Sequence, residues 1–151
     1  MARKPVLNIE NAHIIFRNFA GKETQFNRAG ERNFCVIIDS PEQADILAKD
    51  GWNIKQLRPL EEGDRPANYI PVSVSYKVAP PKVIMINPRG RQTVLDEDSI
   101  EILDYADIVG VDLSINPYEW EVNGKTGIKA YLKAMYVTIE EDAFEAKYAQ
   151  D

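Results

Sequence analysis

The sequence predicts a mainly β fold, a barrel or sandwich carrying short helical insertions, and three observations carry that prediction. Short runs rich in Val, Ile and Phe recur along all 151 residues and outnumber helical patterns. Strict strand–helix alternation is missing, as are GxGxxG and phosphate-loop motifs, so a dinucleotide-binding fold is disfavoured. Finally, Asn123-Gly124 joins two long strand-like runs, and both central residues of a type I′ hairpin turn need positive φ.

Taken in order, "VLNIENAHIIF" (6–16) and "RNFCVIID" (32–39) read as strands. A polar, glycine-containing connection lies between them. A helix follows: Ser40 suits the N-cap, Pro41 the first helical position, Gln43 the capping-box position and Gly51 the C′ position. "WNIKQL" (52–57) reads as a strand and "RPLEEGDRPA" as a loop. In "NYIPVSVSYKV" (68–78), Ile70, Val72, Val74 and Tyr76 share one face only if Pro71 does not bulge the strand, and Pro71 predicts an edge position. "KVIMI" (82–86) is a strand closed by a turn at "NPRG", and Ile100, Leu103 and Ala106 predict a second helix near 96–106. The hairpin, roughly 107–122 and 126–139, brings the expectation to about seven strands and two short helices. Residues 1–139 read as one domain, and 140–151 as an acidic C-terminal segment.

Pairing across Asn123-Gly124 sorts the hairpin into two faces. Val111, Leu113 and Ile115 with Ile128, Ala130, Leu132, Ala134 and Tyr136 make a core face. Asn116, Tyr118 and Trp120 with Lys129, Tyr131 and Lys133 make the other. Aromatic rings stack on nucleobases and interleaved lysines neutralise phosphates, a combination that tolerates any base. Alternatively, these rings pack under a neighbouring loop or in a homodimer interface. A one-residue slip would reverse the faces.

A second patch, "FRNFAGKETQFNRAGERNF" (16–34), interleaves Phe16, Phe19, Phe26 and Phe34 with Arg17, Lys22, Arg28 and Arg32. Phe16 and Phe34 read as buried strand residues. Phe19 and Phe26 lie in the connection, where they either pack the loop or await a ligand. Arg89 and Arg91 add cations at a loop tip, where a plain solvated turn is the alternative. The net charge of −6 argues against a generally basic protein, yet residues 1–36 carry six basic against three acidic residues. Residues 96–112 hold seven acidic and no basic residues, an asymmetry that can give an acidic chain a basic face.

One cysteine, Cys35, excludes an internal disulfide and a multi-cysteine zinc site, and one histidine, His13, leaves little for triad chemistry. The absence of an apolar run of membrane length or a signal-like N-terminus predicts a cytoplasmic protein. The carboxylates Asp96, Glu97, Asp98, Asp104, Asp107 and Asp112 raise a metal-dependent nuclease or resolvase as a rival. The stretch lacks a neighbouring Lys or His, and Asp96 and Asp98 suit a helix start. No catalytic residue, metal or cofactor is assigned.

The aromatic strand, "NGKTGIKAYLKAMYV" (123–137) and the acidic tail resemble bacteriophage single-stranded-DNA-binding proteins of the OB-fold type, as do "IIFRNFAGKETQFNRAGERNFCVIID" (14–39) and "DGWNIKQLRPLEEGD" (50–64). The resemblance implies an OB-fold-like five-stranded barrel with additional strands. It implies non-sequence-specific binding and protection of single-stranded DNA during phage replication and recombination, in the host cell cytoplasm. Trp120, Lys129, Tyr131 and Lys133 match the family's DNA-contacting strand. An acidic tail in such proteins contacts replication partners, although here Lys147 interrupts it and the chain ends on Asp151 rather than an aromatic. The competing reading is a phage structural or regulatory protein-interaction module.

Overall fold

The computed structural model describes residues 5–25, 27–57, 63, 67–77 and 80–140. Phe26 and the segment 141–151 therefore lie outside the described residues. Among those described are nine strands: β1 (Leu7–Ile9), β2 (His13–Asn18), β3 (Arg32–Ile38), β4 (Lys55–Leu57), β5 (Ala67–Val74), β6 (Lys82–Ile86), β7 (Gln92–Leu95), β8 (Ile108–Val122) and β9 (Lys125–Ile139). One α-helix, α1 (Pro41–Lys49), and a 3₁₀ helix at Ile100–Asp104 complete the set. No described helix is long and apolar enough to cross a membrane.

The strands run in the order β1-β8-β9-β5-β3-β2. The two ends of that path are consecutive in the chain. The predicted strand 6–16 is in fact two strands, broken at Glu10–Ala12, with β1 on β8 and β2 on β3. The chain itself thus bridges the seam, and among the described residues no ladder closes it. β1 with β2 counts as one bent strand, which joins β3, β5, β8 and β9 in a five-stranded, OB-fold-like wrap. β4 lies beside β5, while the β6–β7 hairpin lies beside the far half of β9. β7 lacked a sequence signal, because Gln92–Leu95 shows no clear alternation.

α1 forms as its caps dictate. The Ser40 hydroxyl accepts from the Gln43 N–H at 3.2 Å, and Ala44 and Leu47 face the core. At the other end Gly51 has φ +104°, Gly51 N–H reaches Ala48 O and Trp52 N–H reaches Leu47 O, a Schellman motif. Trp52 is thereby turned into the core, 6% exposed. The second predicted helix is a single 3₁₀ element that buries Ile100 and Leu103.

The core lies inside the wrap and includes the fully buried Phe34, Val72, Ile115 and Met135. Burying side chains of this size contributes roughly 1.5–3 kcal/mol each. Ile70, Val72 and Val74 point inward as predicted, leaving Tyr69, Pro71 and Ser73 on the outer face. The edge position predicted from Pro71 needs correction, since β5 is an interior strand. β3 pairs along its whole length, but on the other side β4 stops at Tyr69 and β9 starts at Val72. Pro71 falls in that gap, so the strand is locally one-sided where proline sits.

Candidate nucleic-acid interface

The β8–β9 hairpin turns at Asn123 (φ +53°) and Gly124 (φ +80°), as a type I′ turn requires. Its register is Val122 with Lys125, Trp120 with Gly127, Tyr118 with Lys129 and Asn116 with Tyr131. Near the tip the two predicted faces are therefore correct. Further down they are not. Ile115 pairs with Leu132 and Ser114 with Ala134, so Lys133 is the extra residue of a β-bulge. Beyond it the parity of β9 flips: Met135 and Val137 are fully buried, and Tyr136 is turned out. Ala134 and Tyr136 consequently leave the core face assigned to them, while Lys133 stays exposed.

The base of the arm is held by the end of α1. Ile128 N–H donates to Gly51 O at 2.9 Å, and Trp52 bridges Ile128. Beyond this point the hairpin projects, with Tyr118 59% and Trp120 39% exposed. Tyr118 and Tyr131 meet in a T-shaped pair, 6.0 Å between centroids, and the Lys129 ammonium stands 5.2 Å from the Tyr131 ring centre. Trp120 packs on Gly127, where a Cβ would lie 2.6 Å from its Cζ2. The rings are thus held at the surface by one another, by a glycine and by a cation.

Ser73 pairs with Tyr131, so this face runs onto the outer face of β5. A cleft of about 490 Å³ includes Trp52, Pro71, Ser73, Trp120 and Lys129. A second, of about 320 Å³, shares Ser73 and Lys129 and adds Arg32, Tyr76 and Tyr131. β3 contributes Asn33, Cys35 and Ile37 to the same surface. Burial pushes the Cys35 thiol up to about 11, partly offset by the Lys55 charge nearby. A larger cleft, about 940 Å³, lies elsewhere and includes Asp107 and Glu140, carboxylates that would repel phosphate.

The connection 19–31 fares differently from the hairpin. Phe19 is fully buried and stacked on Phe34 at 5.3 Å, so its assignment to DNA contact is corrected to loop packing. The Asp104 carboxylate fixes it there by accepting from Phe19 N–H at 2.7 Å and Ala20 N–H at 3.0 Å. Arg17 is spent on structure as well, donating to the carbonyls of Leu103 and Ala106 at 2.8 Å each. The Lys22 ammonium donates to Tyr105 Oη at 2.8 Å, which raises its pKa. Arg32 pairs with Glu97 at 3.5 Å and stands over Tyr76. Arg28 is exposed in the loop.

Arg89 and Arg91 are exposed but not brought to this surface. Both backbone N–H groups donate to Asn87 Oδ1, in a turn beyond the pairing of Ile86 with Thr138. That is nine residues along β9 from Lys129, roughly 30 Å at the usual strand rise. Sequence reasoning also missed Phe16, expected in the core but 57% exposed at a bulge between Ile15 and Asn18. Tyr69, Tyr105 and Lys55, which the sequence did not single out, line a cleft with Phe16; Tyr69 had a signal, its outward parity against Ile70.

The carboxylates of 96–112 are partly committed to the backbone. Asp96 accepts from Asp98 and Ser99 N–H and from the Ser99 hydroxyl, the last being the main reason its pKa is lowered. Asp112 accepts from Asn11 N–H. Among the described residues no group of three or more His, Cys, Asp or Glu side chains is placed to share a metal ion.

No curated protein matches the sequence. Among solved structures, the single-stranded DNA-binding protein of bacteriophage Enc34 in complex with ssDNA is similar at a TM-score of 0.53 and 14% identity, with 92% of this chain and 89% of that one covered. A C-terminal truncation of the Enc34 protein gives 0.52 at 13% identity, covering 91% and 87%. At these identities the likeness speaks to the fold. The sequence matches the phage ssDNA-binding domain family over residues 1–151, and the chain belongs to that family.

Proposed function

We propose that this protein binds single-stranded DNA without sequence preference, protecting it during phage replication and recombination, through the outer face of the β8–β9 hairpin and the adjoining face of β5. One observation carries the reading. Tyr118, Trp120 and Tyr131 are gathered with Lys129 on one exposed face that runs into an open sheet surface. Bases stack on the rings, and Lys129 and Lys133 meet the phosphates. Strands and loops of an OB-type barrel are a common seat for oligonucleotides, which agrees with this placement. The family match and the DNA-bound Enc34 relative support the same reading. The role is binding and protection of the strand, and the acidic segment 140–151 serves replication and recombination proteins.

Oligothymidine titration with tryptophan fluorescence tests it. Trp52 is buried and Trp120 is not, so quenching reports on Trp120. Quenching at low salt, with affinity falling steeply as salt rises, is expected. Unchanged fluorescence and no retained oligonucleotide at low salt would overturn the proposal.

A further inference from the structure

We propose, resting on the single-strand reading above, that Phe16 and Tyr69 form a second base-stacking platform at the far end of the same face. The platform takes a nucleobase of the same strand, with Lys55 beside it for the phosphate.

The first observation is backbone conformation. Phe16 sits at φ +53° in a strand bulge, a left-handed conformation that a bulky residue rarely adopts. A buried phenylalanine would recover that cost through packing, yet Phe16 is 57% exposed. Strain retained to hold a ring out in solvent points to a surface that uses the ring. The second observation is company. Tyr69 meets Phe16 edge-on, 6.0 Å between centroids and 74° between planes. Lys55 is the cross-strand partner of Tyr69 and has no carboxylate partner among the described residues. These side chains open on a cleft of about 890 Å³ that Tyr105, 70% exposed, and Lys22 also line. Asp104, the carboxylate in that lining, is occupied by two backbone N–H groups.

Position is the third observation. Tyr69, Pro71 and Ser73 are successive outward residues of β5, and Ser73 pairs with Tyr131. The two platforms are therefore four residues apart along one strand, about 13 Å. Between them β3 and β5 present Cys35, Ile37, Pro71 and Ser73, and no carboxylate. A strand lying on Tyr131 and Trp120 can continue over Pro71 onto Phe16.

Oligothymidines of increasing length test this. Phe16→Asn suits the left-handed backbone and removes the ring. It should weaken binding of long oligothymidines by about 5- to 150-fold, the effect of one base–aromatic stack, and leave the shortest ones unaffected. A tryptophan placed there, Phe16→Trp with Trp120→Phe, should be quenched by long oligothymidines and not by the shortest. Unchanged long-oligonucleotide affinity in Phe16→Asn, or an unquenched Phe16→Trp indole while Trp120 of the parent is quenched, overturns the second platform. An unquenched Trp120 in the parent, with no oligothymidine retained at low salt, overturns the single-strand reading, and this inference with it.

Discussion

Trp120 and Gly127 face each other across the hairpin so closely that a methyl group on Gly127 would lie 2.6 Å from the indole Cζ2 and 2.8 Å from Cε2. The glycine is there for the ring: its backbone is not in the left-handed region, so only space distinguishes it from alanine. Gly127→Ala should swing the exposed indole away, shift its emission and weaken single-strand binding several-fold. Because the ring can move into solvent, stability should change by less than about 1 kcal/mol, measured by urea unfolding.

Removing the rings themselves should cost more. Trp120→Ala or Tyr131→Ala is expected to lower single-strand affinity by roughly 1–3 kcal/mol with the fold intact. Lys129→Ala combined with Lys133→Ala should reduce the salt slope by about 0.7 for each phosphate no longer neutralised. Equal binding across mixed-sequence oligonucleotides is expected before and after.

Phe19 gives the opposite result. It is fully buried on Phe34, so Phe19→Ala should cost about 3–5 kcal/mol of stability. Affinity per folded molecule should hold. Chemical denaturation with binding measured under native conditions separates the two effects.

Cys35 reports on the face between the platforms. Its thiol is raised from 9.0 to about 11 by burial, so the folded protein holds that proton more tightly than the unfolded chain. The resulting stabilisation is complete below pH 9 and is lost as pH rises from 9 toward 11. Iodoacetamide should therefore react slowly at neutral pH, faster in the unfolded chain, and more slowly still when oligothymidine covers the face. Mass spectrometry of the alkylated protein measures each rate.

What the sequence made legible follows the range of the forces involved. The tip of the hairpin was readable because Asn123 and Gly124 set the register locally, and α1 because Ser40 and Gly51 are local caps. The bulge at Lys133 was not, since nothing in "AYLKAMYV" marks where parity flips. It coincides with the exchange of β5 for β6 along the flank of β9, between Tyr131 and Ala134. The polar connection misled for the same reason. Phe19, Arg17 and Lys22 are each claimed by residues 103–106, more than eighty positions away, and their neighbours in sequence carry no trace of it. Phe16 looked like a core residue because only its backbone angle turns it out.

The position of β9 also governs the order in which the molecule can assemble. β9 sits between β8 on one flank and β5 with β6 on the other, and β1 waits for β8, more than a hundred residues downstream. Nothing in the first hundred residues can complete the wrap alone. A chain ending before Lys125 has no strand to place between β5 and β8, so its inward faces stay wet. Folding is consequently a cooperative event dominated by distant pairings, with rates on the order of milliseconds to seconds. During synthesis, the wrap therefore cannot form until translation has passed β9, whatever β1 to β8 have already done.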